Sequence, residues 1–128
     1  MRLLLDTHIL VWIMVEPHRI TPAVRRVLIE SDGEIAFSVA VLWELTVKNG
    51  TARAMKIEPE FMRDKLLAAS FEEVPITAAH ALAVSRLPRL HGDPFDRIMM
   101  AQALVESRTL VTADRAIQRY PGVPLMAL

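Results

Sequence analysis

The sequence predicts an α/β fold in which a central, mainly parallel sheet of four to five strands is covered by helices on both faces. Three observations lead there. Short, almost wholly apolar runs such as LLL and IAF alternate with longer segments of helical pattern along all 128 residues. Those runs lack the polar/apolar alternation of a strand with one wet face, which is the mark of a strand buried on both sides. The intervening segments carry helix punctuation: Thr21-Pro22 and Asp93-Pro94 at starts, Gly50 at a stop. The length fits one domain, residues 1–128, with room for a substantial core.

Taken in order, residues 2–5 read as a short buried strand and HILVWIMV as a nearly all-apolar helix. TPAVRRVLIESD (21–32) is a second helix, capped by Thr21. EIAFS (34–38) is a strand, and VAVLWELTVKNG (39–50) a helix closing at Gly50. EFMRDKLLAASF (60–71) is amphipathic, with Phe61, Leu66, Leu67 and Phe71 available to one side. EEVPI (72–76) is a short strand despite Pro75, a residue that fits only strand edges. TAAHALAVSRL (77–87) and DPFDRIMMAQALVES (93–107) are helices, TLVT (109–112) a strand, ADRAIQRY a short helix, and VPLMAL a terminal strand or tail.

Composition limits the function classes. Apolar residues make up 52% of the chain and mean hydropathy is +0.29, a surplus that a partner-facing surface would use. Fifteen basic residues balance fifteen acidic ones, so net charge gives no pointer to nucleic acid. The absence of cysteine excludes disulfides and thiolate metal sites and fits a reducing compartment, the cytoplasm. Asp6 interrupts the first apolar run, which does not read as a secretion signal, and no stretch is long and apolar enough to span a membrane.

In a parallel sheet, ligands bind outside the carboxyl ends of the strands. Asp6 follows the first strand and Asp114 the fourth; a strand order of 3-2-1-4 makes them neighbours. Taken singly, each has a simpler account. Asp6 and Asp114 suit helix N-caps, Asp93 before Pro94 is an N-cap outright, and Asp96 complements the dipole of the helix it starts. Glu44 is harder to explain. It lies mid-helix in VAVLWELTVK, where an exposed pair with Lys48 contributes only about 0.3–0.5 kcal/mol. The surrounding Val41, Trp43, Leu45 and Val47 leave that helix little polar face, so a cation in a cleft explains the acid better. Several carboxylates gathered at one edge repel one another unless a hard divalent ion such as Mg²⁺ or Mn²⁺ neutralises them.

The stretches LLLDTHILVW, SVAVLWELTVKNG, HGDPFDRIMMAQAL and LVTADRAI occur in one order across essentially the full chain. In that combination the sequence resembles the PIN-domain ribonucleases, and most closely the VapC toxins of bacterial type II toxin–antitoxin pairs. The resemblance implies a three-layer PIN-like fold and Mg²⁺-dependent hydrolysis of RNA phosphodiesters, with Mn²⁺ as a substitute. It places the four acidic site positions on Asp6, Glu44, Asp96 and Asp114, for metal binding and catalysis. Thr7 and Thr112 match hydroxyl positions beside the acids, and Asp93 in DPFDR stands as an outer-shell acid. It further implies a VapB-like antitoxin clamped against the apolar helices, a homodimer, and a hetero-oligomer with the antitoxin.

With four acids assigned to such a site, the rest of the chain has a basic excess. Arg53, Lys56, Arg86, Arg89, Arg97, Arg115 and Arg119 are candidates for a phosphate-binding rim, and Arg97 and Arg115 directly follow site acids. Each is equally an ordinary solvated or ion-paired charge. His8 and His91 lie near the motifs and read as structural or outer-shell; Trp12 and Trp43 stack on bases or, more commonly, pack in a core or interface. The alternative from another class is a catalytically silent RNA- or protein-binding PIN-like module that keeps its acids for stability. Haloacid-dehalogenase chemistry wants a second Asp where His8 stands, and a receiver domain wants a late-strand Lys that TLVTAD lacks.

Overall fold

Three consecutive leucines form the central strand β1 (Leu3–Leu5) of the computed structural model, which describes residues 1–31 and 33–128. All three are fully buried. Successive strand side chains point to opposite faces, so this requires apolar cover on both. Beside β1 lie β2 (Ile35–Ser38) and β4 (Thr109–Thr112), with β3 (Glu72–Val74) and β5 (Leu125–Ala127) at the edges. The order is β3-β2-β1-β4-β5 and every pairing is parallel, as the sequence pattern predicts. The tail is a strand, and β3 stops at Val74, ahead of Pro75, which has no N–H to give the ladder.

The helices are α1 (Thr7–Val15), α2 (Pro22–Glu30), α3 (Val39–Asn49), α4 (Pro59–Ala68), α5 (Ala78–Val84), α6 (Pro94–Val105) and the single-turn α7 (Arg115–Gln118). Several close earlier than their apolar patterns. The one expected over 21–32 ends at Glu30, and its last position, Asp32, lies outside the described residues. After α4, Ser70 takes a left-handed φ of 66°, and after α6, Ser107 one of 53°, turns that a continuing helix cannot contain. The core joins Leu3–Leu5, Phe37, Leu45, Met99, Met100, Leu110 and Ile117 between the layers.

Strand ends double as helix starts. Asp6, Ser38 and Asp114 each accept a backbone N–H of the helix that follows their strand, so polar caps collect at the carboxyl edge of the sheet, and Asp93 caps α6 after the loop from α5. His80, silent in the sequence, is a structural pin. It is fully buried; its Nδ1 accepts from Thr77 N at 3.0 Å and its Nε2 meets Glu106 Oε1 at 2.8 Å, tying the start of α5 to the end of α6.

Candidate metal centre

The register sets Leu4 opposite Leu110 and Leu5 opposite Val111, so β1 and β4 end side by side. Asp6 is the next residue and only 3% exposed. Its Oδ1 accepts from Thr7 N at 2.7 Å and its Oδ2 from Thr112 Oγ1 at 2.7 Å. The Thr112 hydroxyl accepts in turn from Asp114 N at 3.0 Å, linking the two strand ends. Glu44 comes from α3 and is also buried. Its Oε1 accepts from Thr7 Oγ1 at 2.5 Å, and its Oε2 lies 2.5 Å from Lys48 Nζ. Asp96 enters from the first turn of α6, with Oδ2 at 2.7 Å from His91 Nε2. Asp93 caps the same helix through Oδ1, accepting from Phe95 N and Asp96 N.

Burial is the main force on these acids. It pushes the Asp6 carboxyl above its ordinary value, against the pull of the Thr112 and Thr7 bonds and of His8, while Glu44 adds to the rise. Burial likewise raises Asp96, to about 7, opposed by the His91 bond and assisted by the charges of Asp6, Asp93 and Glu44. For Lys48, burial acts to lower the pKa, but the bond and charge of Glu44, with Asp93 and Asp96 behind it, leave it above the usual lysine value. Asp6, Glu44, Asp93 and Asp96 thus share one field, with Lys48 inside it.

Of the four acids named from the sequence, Asp6 and Glu44 are joined through Thr7, whose N–H and hydroxyl they accept, and Asp96 lies near enough to feel the charge of both. The Asp114 carboxylate caps α7, accepting from Ala116 N at 2.8 Å, and only its backbone N–H joins the site, donating to the Thr112 hydroxyl that in turn donates to Asp6. Among the described residues, one compact metal-ligand set appears: one donor atom each from His91, Asp93 and Asp96, all within 4.8 Å of one another. His91 and Asp93 therefore stand closer to the centre than the sequence indicated. The available signal was the HGDPFD spacing, which sets an imidazole and two carboxylates around one helix start.

Two of the alternatives left open by the sequence differ in the structure. The exposed Glu44–Lys48 pair, the simpler account, does not form; the side chains of the pair are 3% and 18% exposed. Arg97 does not extend from a basic rim. Its guanidinium donates to the carbonyls of Val84, Pro88 and His91 and to Tyr120 Oη, fixing the loop that carries His91. Arg53, Lys56, Arg86, Arg89, Arg115 and Arg119 are exposed. Trp12 is partly buried under the Arg19 guanidinium, 4.1 Å from the ring centroid. Trp43 is 52% exposed and meets Phe95 edge-on.

A doubly covered parallel sheet with an acidic rim at its carboxyl edge defines a class. Residues 3–123 match the PIN domain, and the chain belongs to that family. It is 30% identical over 118 residues to Ribonuclease VapC22 of Mycobacterium tuberculosis, a match covering 91% of this chain and 90% of the relative. Its fold is also similar to solved structures. VapBC2 from Rickettsia felis, bound to a DNA fragment from its promoter, gives a TM-score of 0.73 at 22% identity, covering 100% of this chain and 99% of that one. DNA-bound VapBC from Salmonella typhimurium gives 0.66 at 16%, covering 99% and 98%.

Proposed function

We propose that the chain is a Mg²⁺-dependent endoribonuclease acting as the VapC-like toxin of a toxin–antitoxin pair. The observation that carries this is the burial of three acids, Asp6 and Glu44 joined through Thr7 and Asp96 in a set with His91 and Asp93 whose donor atoms lie within 4.8 Å of one another. Such a set is under-neutralised, and its donors are nearly all carboxylate oxygens, which suit Mg²⁺ or Mn²⁺. Asp6 and Asp96 would hold the ion with Asp93 and His91 flanking it, and Asp114 would be kept at the same edge by the bond from its backbone N–H to Thr112. An ion held there would supply positive charge for the phosphate oxygens and acidity for a bound water, and the resemblance to the PIN ribonucleases implies hydrolysis to a 5′-phosphate and a 3′-hydroxyl.

The chain's own residues do the positioning. Thr112 and the Thr7 amide hold one Asp6 oxygen each, and the Thr7 hydroxyl holds Glu44. A groove of about 460 Å³ lined by Lys48, Thr51, Arg53, Asp93 and Phe95 gives an RNA backbone a path to the acids. The exposed arginines and lysine of the rim supply phosphate contacts that offset the acidity of the centre.

A second groove, about 310 Å³, lies between α1, α2 and β2 and is lined by Ile13, Ile20, Leu28, Ile29, Ile35 and Phe71. Its apolar walls suit the amphipathic segment of a VapB-like antitoxin. The relatives seen with VapB partners support that reading, and exposed Trp43 and Val47 on α3 suit a homodimer contact. No helix among the described residues is long and apolar enough to cross a membrane, which fits action on RNA in the cytoplasm.

RNA cleavage with Mg²⁺, with EDTA, and by Asp6→Asn tests the reading. The Asn variant keeps an oxygen acceptor for the cap. Cleavage should need the ion and fall by more than about 100-fold in the variant, beyond what loss of an outer-shell partner does. RNA binding without cleavage by the folded wild type would instead support the catalytically silent module.

A further inference from the structure

We propose that an open cavity beside the acids holds one unpaired nucleotide of the RNA, next to the phosphate under attack. The inference rests on the nuclease reading above and adds to it a subsite outside the metal centre. The cavity, about 570 Å³, lies between α5, the loop that follows it and the start of α6. That volume is ordinary for a small-molecule site. Val84, Ser85, Arg89, Leu90, His91 and Arg97 line it, and among the described residues no carboxylate does. Its wall nevertheless touches the acids, because His91 Nε2 lies 2.7 Å from Asp96 Oδ2.

The lining matches a nucleotide part by part. Among the described residues, the arginines paired with carboxylates are Arg19, Arg63 and Arg108, which leaves exposed Arg89 available to a phosphate. Arg97 donates to carbonyls and a hydroxyl alone, so its charge also favours an anion there. Leu90 is 59% exposed and, with Ala81 and Val84, offers apolar contact to the face of a base; a free phosphate has no use for such a wall. Ser85 Oγ gives its hydrogen to Leu82 O at 2.8 Å and keeps its oxygen to accept an N–H from a base edge. The wall is also shaped in advance. Arg97 and Tyr120 hold the carbonyls of Val84, Pro88 and His91, so the loop is not left to be ordered by the ligand. A base in this cavity is out of any stack, so the strand it belongs to is single there.

Fluorescence anisotropy with Mg²⁺ tests the subsite on the full chain carrying Asp6→Asn, which slows cleavage of the probe. Two short labelled strands are compared, a mixed-sequence single-stranded RNA and the same ribose-phosphate chain without bases. The RNA should bind about tenfold tighter or more. Ala81→Leu fills the cavity from an exposed helix position, and Leu90→Ser trims its exposed wall; thermal melts check that both are folded. Each should cut the preference for bases by about fivefold. Arg89→Ala should instead weaken both strands alike and lower the slope of log affinity against log salt by about one. No preference for bases in the parent chain, a preference unchanged in both folded variants, or an unchanged salt slope in Arg89→Ala would overturn the subsite and leave metal-dependent cleavage by the wild type standing. Binding of neither strand would overturn both.

Discussion

Asp96 stands in the first turn of α6, where a negative charge suits the helix dipole, yet its carboxyl is raised from 3.8 to about 7. Burial and three neighbouring acids therefore outweigh the dipole and the His91 bond. An acid whose pKa is higher folded than unfolded binds more protons in the folded state. Stability of the metal-free chain should thus fall as pH rises from about 4 to about 7, and Asp6, shifted the same way, should add to the slope. Thermal melts in EDTA check this. Asp96→Asn should flatten the decline, and added Mg²⁺ should raise Tm more at pH 8 than at pH 5. A metal-free Tm that climbs through that window would contradict the account. Asp6, Asp93, Asp96 and Asp114 were legible because each follows a strand or starts a helix, and Glu44 because an acid mid-helix among apolar residues has no local account. What was not legible is the size of their burial, since it depends on how α3 and α6 pack.

At the scale of elements, α3 shows what the sequence left open. Glu44 and Lys48, four residues apart, share one helix face, but which face turns inward depends on what packs against it. The sequence offered an exposed pair as the simpler account of Glu44 and a cation in a cleft as the better one, without showing which apolar residues would face outward. Trp43 and Val47 are 52% and 47% exposed, while Glu44 is 2% exposed. The helix start at Asp93-Pro94 was plain, because proline and a capping acid act locally. The second role of Asp93, in the set with His91 and Asp96, arises from the loop geometry that Arg97 and Tyr120 hold. Two arginines that looked alike in the sequence therefore separate. Arg115→Ala should lower the slope of log affinity for RNA against log salt by about one. Arg97→Ala should leave that slope unchanged and lower thermal stability, since it frees three carbonyls and a hydroxyl from one guanidinium. Equal salt slopes for both variants would contradict the distinction.

Across the whole molecule, the strand order makes residues distant in the chain adjacent: Thr112 donates to Asp6 across 106 positions. That order was readable from the alternation of apolar runs with capped helices, which leaves few ways to build a doubly covered parallel sheet. The apolar surplus was equally readable, but its location was not. It divides between the α1–α2 groove and the exposed face of α3. Ile29, 76% exposed and lining the groove, separates partner binding from folding. Ile29→Glu should abolish co-purification with a VapB-like antitoxin while leaving RNA cleavage unchanged; retained co-purification would place the partner elsewhere. The central claim is that acids from separate elements meet at one edge to hold a divalent ion. Anomalous diffraction from crystals grown with Mn²⁺ tests it most directly. The account predicts a peak bridging Asp6 and Asp96; a fully occupied ion bound away from both, or no ion at saturating Mn²⁺, would contradict it.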